Sequence, residues 1–240
     1  MSNASPSGQG LPPFVPTLAE DEVEWIRSWH ERAYREGRAE AISAQSFDYL
    51  GLRLLVPPEV MPIARVSNNL GEAVMAEVRK GDTVLDMGTG SGVNALLAAS
   101  KGARVVAVDI NPHAVAAARD NAERNHLTHF VEVRLSDVFS AVGERFDLII
   151  FDPPYRWFAP RDWFESAMTD ENYGALTRFF RQAREHLRPE GRMLVSFGTS
   201  GDIGYLRQLI VEEAFNEQVV ARVELVRDDK SVEYFTFLLS

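Results

Sequence analysis

Two hydrophobic periods alternate along most of the chain. From about residue 70 onward, short apolar runs typical of buried strands are followed by segments with apolar residues at helical spacing. The predicted strands are TVLDM, RVVAVDI, FVEVRL, FDLIIF, RMLVSF, EQVVARVEL and VEYFTFLL. The predicted helices are LGEAVMAEVRKG, VNALLAASKG, PHAVAAARDNAERN and two segments at about 170–187 and 202–213.

This order of elements predicts an α/β fold. Strands that alternate with helices form parallel sheets, and the helices cover both faces of the sheet. The last two predicted strands are joined only by the short segment RDDKS, so they must pair as an antiparallel hairpin. The sequence therefore predicts a doubly wound, mostly parallel seven-stranded sheet with an antiparallel last strand.

The first seventy residues have a different character. TLAEDEVEWIRSWHERAYREG predicts one amphipathic helix, with Thr17 and Glu20 at capping-box spacing and Gly37 as its stop. The proline-containing stretch FDYLGLRLLVPPEVMPIARVSNN predicts an irregular or short-stranded connection. The first ten residues are small and polar, which is typical of a disordered tail. The predicted divisions are a tail at 1–16, a helix and connecting segment at 17–69, and one domain at 70–240.

Composition narrows the possible functions. The 240 residues include no cysteine, which excludes a disulfide framework, a cysteine nucleophile and a thiolate metal site. The five histidines lack a His-Glu-x-x-His spacing, and no metal site is predicted. The net charge of −10 disfavours a nucleic-acid partner. No apolar run reaches the length of a membrane span and no signal peptide is evident, so we expect a cytoplasmic protein with no membrane partner.

Candidate chemistry lies where predicted strands end, which is where open α/β sheets bind ligands. The first strand of the predicted domain ends in DMGTGSG, at 86–92, whose glycines allow a tight turn before a helix. Asp109 ends the next strand, 21 positions after Gly88 (109 − 88), which suits a carboxylate that accepts ribose hydroxyls. Val93 occupies the third-glycine place of the dinucleotide motif, which disfavours NAD. Asp137 follows the third strand and is a candidate acceptor for an adenine amino group.

The fourth of these strands ends in FDPPYRWF, at 151–158. The two prolines remove backbone donors and force the chain out of the sheet in a stiff, extended shape. The segment then displays one carboxylate, free carbonyl groups and one aromatic ring. Taken alone, the motif is equally consistent with a strand-ending turn.

Together these motifs resemble those of the class I S-adenosylmethionine-dependent methyltransferases. DMGTGSG is similar to their first motif, VVAVDINPHAV to their second, SD to their third and FDPPY to their fourth, while HLRPEGRMLVSF is similar to the stretch into their fifth strand. Within the class, the sequence most resembles the HemK-like protein-glutamine N5-methyltransferases. Asn-Pro-Pro-Tyr or Asp-Pro-Pro-Tyr also marks base-amino methyltransferases of DNA and ribosomal RNA. The resemblance implies a Rossmann-like methyltransferase fold and S-adenosylmethionine as the cofactor, with no metal required.

The resemblance also assigns roles to individual residues. It implies an acceptor clamp in which the Asp152 side chain and the Pro153 carbonyl accept hydrogen bonds from an amide or amino group, while Tyr155 packs against the planar acceptor. The HemK-like enzymes usually have Asn where Asp152 stands, and their larger N-terminal helical domain is not recognisable here. The residues implied to bind the cofactor are Asp86, Gly88, Thr89, Gly90, Gly92, Asp109, Ile110, Asp137 and Val138.

The expected function is methyl transfer from S-adenosylmethionine to a planar amide or amino nitrogen of a protein or small molecule. The alternatives are a base-amino methyltransferase of ribosomal RNA or DNA, a natural-product N- or O-methyltransferase, and a non-catalytic cofactor-binding subunit. Four aromatic residues after the clamp are candidates for an acceptor pocket or a mobile loop, or for ordinary core packing: Trp157, Phe158, Trp163 and Phe164.

Overall fold

The computed structural model describes residues 14–64, 67–227 and 230–240. Residues 1–13 of the predicted tail, two residues of the connecting segment and the centre of RDDKS lie outside these ranges. The strands are β1 (Gln45–Tyr49), β2 (Leu52–Val56), β3 (Thr83–Met87), β4 (Arg104–Asp109), β5 (Val131–Leu135), β6 (Phe146–Phe151), β7 (Leu187–Gly198), β8 (Glu217–Arg227) and β9 (Lys230–Leu239). The α-helices are α1 (Glu20–Glu40), α2 (Ser67–Glu77), α3 (Val93–Ser100), α4 (Pro112–Arg124), α5 (Trp163–Ser166), α6 (Gly174–Ala183) and α7 (Ile203–Glu212).

One seven-stranded sheet organises the domain, with the strand order β5-β4-β3-β6-β7-β9-β8. Strands β3 to β7 pair in parallel, whereas β9 is antiparallel to both β7 and β8. The predicted doubly wound sheet with an antiparallel last strand is therefore confirmed. The antiparallel strand lies inside the sheet, between β7 and β8, and β8 forms the edge.

The central strands are apolar throughout because both faces of the sheet are covered. In β6, Leu148, Ile149 and Ile150 are all fully buried. Leu148 and Ile150 pack into the core that includes residues of α2 and α3, whereas Ile149 packs into the core that includes residues of α6 and α7. A strand buried on both faces is read in sequence as a continuous apolar run, which explains the predicted FDLIIF strand.

Helix α1 begins and ends later than the sequence predicted. Glu22 rather than Thr17 provides the cap, since its carboxylate accepts the backbone N–H of Ala19 at 3.2 Å. The helix continues through Gly37 to Glu40. A Cβ at position 37 would lie 2.8 Å from the Phe164 ring, so this glycine permits close packing and does not end the helix. Within the described ranges, no helix is both long and apolar enough to cross a membrane.

The connecting segment contains a β-hairpin formed by β1 and β2. Two asparagines, one in α4 and one directly after it, hold its second strand by pairing with the backbone. Asn121 accepts the N–H of Leu55 at 2.8 Å and donates to its carbonyl at 3.0 Å, and Asn125 makes the same pair of bonds with Arg53. These bonds satisfy one edge of a two-stranded sheet that would be only marginally stable by itself.

The helix predicted at 170–187 is interrupted at both ends. A 3₁₀ turn at Glu171–Tyr173 precedes α6, with positive φ angles of 55° at Asn172 and 51° at Tyr173. Asp170 accepts the N–H groups of Ala175 and Leu176 at 3.0 and 2.8 Å, and these bonds cap α6. A second 3₁₀ turn, Arg184–His186, follows α6, and the chain enters β7 directly.

Thr17, which was predicted to cap α1, binds the segment before α1 to the start of α7. Its backbone N–H and hydroxyl donate to the two carboxylate oxygens of Asp202 at 2.6 and 2.5 Å, and Asp202 also accepts the N–H of Tyr205 at 3.0 Å. Asp202 is fully buried, so these donors replace the water that its charge would otherwise bind. One carboxylate thus caps α7 and fixes the N-terminal segment.

Asp202→Ala is expected to lower the free energy of unfolding by about 2–4 kcal/mol, because it removes a helix cap and also the acceptor for both Thr17 donors. Thr17→Val removes only the hydroxyl bond and should cost about 0.5–1.5 kcal/mol. Urea unfolding followed by far-ultraviolet circular dichroism measures both values. Equal losses for the two variants would contradict the shared role of this carboxylate.

Candidate active site

The predicted site residues follow four neighbouring parallel strands. The glycine turn follows β3, Asp109 ends β4, Asp137 follows β5 and Asp152 follows β6. Because these strands are adjacent in the order β5-β4-β3-β6, their carboxyl ends meet at one edge of the sheet. The structure therefore brings the predicted residues together at the ligand-binding edge of the fold.

The turn after β3 requires glycine for its conformation. Gly88, Gly90 and Gly92 have φ angles of +65°, +55° and +86°, in the region that favours glycine. A Cβ on Gly92 would also lie 3.1 Å from Ala118, so the start of α3 packs closely against α4. The turn leads the chain directly into the N-terminus of α3, where unpaired backbone N–H groups favour electron-rich ligand atoms.

Asp86 stabilises this turn through hydrogen bonds to its side chain. Its Oδ2 atom accepts the Thr89 hydroxyl at 2.5 Å and the backbone N–H of Ala95 at 3.0 Å, in a fully buried position. Burial raises the pKa of Asp86 to about 7, against the opposing effect of these two hydrogen bonds. Asp86 and Thr89 therefore bind each other through their side chains, and the cofactor-binding roles assigned to them stay a prediction.

Asp109 joins the second strand end to the glycine turn. Its two carboxylate oxygens accept the N–H groups of Gly90 and Asn111, each at 2.8 Å. A carboxylate has about four lone-pair positions, so acceptor capacity remains for ribose hydroxyls. Burial raises the pKa of Asp109, and the backbone hydrogen bonds oppose this effect. Ile110, which follows directly, is partly exposed at this edge.

Asp137 is occupied by an ion pair that sequence analysis missed. Arg178 of α6 donates from both terminal nitrogens to its carboxylate, at 2.7 and 2.8 Å. Val138 is buried, has a φ of 48°, and accepts the Ser136 hydroxyl through its carbonyl at 2.7 Å. The adenine contacts assigned to Asp137 and Val138 stay a prediction, and an adenine amino group would share or replace the Arg178 contact.

Asp152 is held by the tyrosine of its own motif. The Tyr155 hydroxyl donates to Asp152 Oδ1 at 2.8 Å, and Ser196 Oγ lies 3.0 Å from the same hydroxyl. Because the phenol gives its only proton to the carboxylate, the Ser196 hydroxyl is the donor in the second bond. Burial raises the pKa of Asp152, and the nearby Tyr155 and Ser196 hydroxyls oppose this effect. One carboxylate oxygen is therefore fixed and the other is left for a further donor.

The Tyr155 ring is also fixed by its neighbours. It packs against Phe197 and Tyr234, with ring centroids 5.3 and 5.8 Å apart. A Cβ at position 201 would lie 1.7 Å from the Tyr155 carbonyl oxygen, so only glycine lets the loop after β7 come this close. Pro153, between the two clamp side chains in sequence, is buried. The acceptor-contact roles of Asp152, Pro153 and Tyr155 stay a prediction.

The four aromatic residues after the clamp divide between core and surface. Trp157 and Phe164 are buried, and Trp157 packs against Tyr173 with ring centroids 5.8 Å apart. Phe158 is half-buried beneath α1, and Trp163 is 41% exposed. Core packing therefore accounts for two of the four residues. The segment is also tied down by a β-bridge between Arg156 and Thr169 and by helix α5.

Helix α1 is attached beside the clamp by a polar cluster in which His30 and Glu165 are buried and Arg161 is partly exposed. His30 Nε2 lies 2.7 Å from Glu165 Oε1, and Arg161 Nη2 donates to the same carboxylate at 2.5 Å. Burial acts to raise the pKa of Glu165, but the hydrogen bonds from Arg161 and His30 outweigh it and lower the pKa to about 2. Burial lowers the pKa of His30, and the Glu165 hydrogen bond opposes this effect. Helix α1 thus packs against the segment that follows the clamp residues.

Sequence analysis did not identify Ser196, Arg178 or Glu165. Ser196 is the one hydroxyl in the predicted strand RMLVSF, and a polar side chain in an apolar strand was the available signal. Arg178 and Glu165 lie on helices, where a charged residue is typical of a solvated face. Asp137, the partner of Arg178, and His30, one partner of Glu165, are distant in sequence, and no local pattern indicates them.

Comparisons with known proteins agree with this geometry. The family model described as "Methyltransferase small domain" matches residues 66–224, which include every residue of the predicted site. The chain belongs to the methyltransferase small domain family. This membership confirms the sequence-based prediction of a methyltransferase and of S-adenosylmethionine as its cofactor.

Curated relatives of this methyltransferase include two kinds of protein methyltransferase. The chain is 35% identical over 182 residues to the release factor glutamine methyltransferase of Cereibacter sphaeroides, covering 70% of this chain and 64% of that one. It is 51% identical over 146 residues to the ribosomal protein L11 methyltransferase of Pelotomaculum thermopropionicum, covering 57% and 47%. The chain therefore spans less than two thirds of the length of either relative.

Solved structures of similar fold come from several methyltransferases. The ribosomal protein L11 methylase of Lactobacillus delbrueckii subsp. bulgaricus has a TM-score of 0.58 at 22% identity, covering 77% of this chain and 83% of that one. The T. thermophilus 16S rRNA methyltransferase RsmC, in complex with AdoMet and guanosine, has a TM-score of 0.60 at 24% identity, covering 81% and 49%. At these identities the likeness establishes the fold.

Asp109→Ala is expected to weaken S-adenosylhomocysteine binding by about 1.5–3 kcal/mol, because hydrogen bonds to a charged acceptor are lost. Isothermal titration calorimetry measures the change. Asp109→Asn, which keeps one carbonyl acceptor, should lose less. An unchanged dissociation constant in a folded Asp109→Ala protein would remove this carboxylate from the cofactor site.

The raised pKa of Asp86 predicts a pH dependence of stability. Because the folded-state pKa of about 7 exceeds the ordinary value of 3.8, folding favours the protonated form. Its contribution is fully present below pH 3.8 and is lost as pH rises through about 7, by up to about 1.4 kcal/mol per pH unit. Relative to Asp86→Asn, the wild-type free energy of unfolding should therefore fall across this range. Urea unfolding at several pH values tests this, with the exposed Asp120→Asn as the control, and parallel curves would contradict it.

Proposed function

We propose that this chain transfers a methyl group from S-adenosylmethionine to a planar amide or amino nitrogen of a protein or small molecule. The observation that carries the proposal is the Asp152 carboxylate, held by Tyr155 at the end of β6 and next to the glycine turn. This geometry leaves one carboxylate oxygen as an acceptor beside the strand ends that suit a nucleoside. The cytoplasmic location remains a prediction from the sequence.

The residues on the cofactor side fit S-adenosylmethionine. Gly88 and Gly90 have no side chain that could block a ligand from approaching the backbone. The Asp109 carboxylate can accept further hydrogen bonds from the ribose hydroxyls. Asp137 and Val138 are proposed for the adenine and Ile110 for its apolar face. When bound, S-adenosylmethionine supplies a methyl group on a sulfonium, whose neutral thioether is the leaving group.

Asp152 addresses the difficulty of using a conjugated nitrogen as the nucleophile. The lone pair of an amide or aromatic amine is delocalised, so its orientation toward the methyl group must be enforced. A carboxylate oxygen and the Pro153 carbonyl that accept the two N–H groups hold the nitrogen in that orientation. A carboxylate can also accept the proton that the nitrogen must lose after methylation, which a carboxamide at this position cannot do.

The relatives support an acceptor of this chemical type. Their names describe methyltransferases of release factor glutamine and of ribosomal protein L11. The chain matches only part of each relative, so their protein substrates are not carried over. The net charge of −10 disfavours a nucleic-acid acceptor.

A transfer assay distinguishes the remaining acceptors. The purified protein and methyl-labelled S-adenosylmethionine are incubated with separate protein, RNA and small-molecule fractions. We expect label in the protein or small-molecule fraction. Salt-sensitive labelling of RNA would favour a base-amino methyltransferase, and cofactor binding with no labelled fraction would favour a non-catalytic subunit.

Asp152→Ala is expected to leave S-adenosylmethionine affinity nearly unchanged while it reduces methyl transfer by about 100- to 1000-fold, since its contacts form around the reacting nitrogen. Asp152→Asn should retain more activity than Asp152→Ala. Tyr155→Phe keeps the ring and should be milder than Tyr155→Ala. Single-turnover transfer with saturating cofactor, together with thermal melts, measures these effects. Full activity in a folded Asp152→Ala protein would exclude this carboxylate from the reaction.

A further inference from the structure

Ser196 has a buried hydroxyl whose one hydrogen-bond partner, within the described part of the chain, is the Tyr155 hydroxyl. The residue is 6% exposed, and its Oγ atom lies 3.0 Å from the Tyr155 hydroxyl oxygen. Tyr155 in turn donates to Asp152 Oδ1 at 2.8 Å. The three side chains therefore form one hydrogen-bonded chain, which begins in β7 and ends on the carboxylate that follows β6.

The number of available protons sets the direction of both hydrogen bonds. An ionised carboxylate only accepts, so the Tyr155 proton goes to Asp152. The phenol oxygen then accepts the proton of the Ser196 hydroxyl. A phenol that accepts a hydrogen bond is a stronger donor, because successive hydrogen bonds polarise one another. Ser196 therefore strengthens the bond that stabilises the ionised form of Asp152.

Asp152 depends on this bond more than the neighbouring acid Asp137 depends on any hydroxyl. Asp137 is paired with both terminal nitrogens of Arg178. Asp152 accepts the Tyr155 hydroxyl, and none of the described cations pairs with it. Burial disfavours the Asp152 charge and raises its pKa, so its ionisation depends on Tyr155 and, through it, on Ser196.

The positions of Ser196 and Tyr155 are fixed independently of the bond between them. Ser196 lies in β7, which pairs with β6 on one side and with β9 on the other. The Tyr155 carbonyl accepts the Tyr173 hydroxyl at 2.5 Å, and the Tyr155 ring packs against Phe197 and Tyr234. Loss of the Ser196 hydroxyl should therefore leave the ring in place and change only the hydrogen bond to it.

We propose that Ser196 is a positioning residue for methyl transfer, which acts through Tyr155 to keep Asp152 ionised with one oxygen available to the acceptor nitrogen. This proposal rests on the proposed function for the role of Asp152 in the reaction. Asp152 is half-buried, so a donor can reach its second oxygen. Only the ionised carboxylate accepts N–H groups with both oxygens, so the transfer rate should follow the ionised fraction of Asp152.

Three titratable groups in the described chain lie close enough to interact with the Asp152 charge: Asp86 in β3, Tyr49 in β1 and Tyr155. Burial raises the pKa of each, to about 7 for Asp86 and about 12 for Tyr49, and the Asp152 charge adds to this effect. The two phenols are therefore neutral at neutral pH, whereas Asp86 titrates nearby. Asp86 is present in every variant below, so its contribution cancels in their comparison.

Carbon-13 NMR of the side-chain carboxyl groups measures the ionisation of Asp152 without any acceptor. Asp152→Asn identifies the resonance by its loss. In Ser196→Ala the donor to Asp152 is weaker, so the resonance should titrate at higher pH than in the wild type. Thr236→Val is the matched control, because Thr236 lies opposite Ser196 in β9 and its buried hydroxyl has no hydrogen-bond partner in the described chain. Its Asp152 titration should match that of the wild type.

The pH profile of methyl transfer tests the consequence for the reaction. Single-turnover rates are measured with saturating S-adenosylmethionine and the fraction that the transfer assay labels. On the acidic limb, Ser196→Ala should be about 3- to 10-fold slower than the wild type, because one hydrogen bond to the ionised chain is lost. On the alkaline plateau, where Asp152 is ionised in both proteins, the difference should fall below about twofold. Ser196→Thr keeps the hydroxyl and should restore most of the acidic-limb rate.

A double-mutant comparison tests whether the effect passes through Tyr155. In Tyr155→Phe the Ser196 hydroxyl has no phenol to bind, so addition of Ser196→Ala should change the acidic-limb rate by less than about twofold. An unchanged Asp152 titration in Ser196→Ala, or a rate loss that is equal at every pH, would show a packing role and overturn the proposal. An equal shift in Thr236→Val, or fully additive losses in the double mutant, would also overturn it.

These measurements separate the proposal from the proposed function. An Asp152 titration that depends on Ser196, in a protein that labels no fraction, would leave the hydrogen-bonded chain standing and refute the proposed function. Methyl transfer with the same pH profile in the wild type and in Ser196→Ala would refute the role of Ser196 while the proposed function stands.

Discussion

The hydrogen bonds that the buried Asp86 carboxylate accepts from Thr89 and Ala95 hold the glycine turn against the start of helix α3. Within this turn, the backbone N–H of Gly90 donates to Asp109, which fixes the ends of β3 and β4 relative to each other. Burial of the Asp86 carboxylate is unfavourable and raises its pKa to about 7. The hydrogen bonds that it accepts nevertheless make the turn rigid before any ligand binds.

The sheet could be predicted because its signals are local. Apolar runs such as Leu148 to Ile150 report burial on both faces, and the glycine turn reports its own backbone conformation. The predicted start of α1 was wrong because Thr17 hydrogen-bonds to Asp202, which lies 185 residues away. No capping pattern reveals such a distant partner. Gly37 was misassigned for the same reason, since the Phe164 ring that it accommodates is distant in sequence.

The sequence predicted which strand ends form the candidate site, but it predicted fewer of the contacts that the site residues make. Acids at the ends of β3 and β4 and after β5 and β6 could be named from their positions alone. The partners of Asp137 and Tyr155, which are Arg178 and Ser196, each lie 41 residues away along the chain. Sequence pattern also gave no sign that Arg156 is buried, because arginine in a polar-aromatic stretch is ordinarily solvated. Burial of a charged group is a tertiary property, and it is where the structure adds most.

The position of β9 has a consequence for how the chain acquires its fold during synthesis. Strand β8 is made first, yet among the described strands it pairs with β9 alone, and β9 also supplies the pairing partner for one side of β7. Until residues 230–239 have left the ribosome, β7 is an open edge and β8 has no place in the sheet. The nascent chain must therefore carry an exposed apolar strand edge until β9 has been synthesised, and during that time the edge is open to chaperones or to other nascent chains.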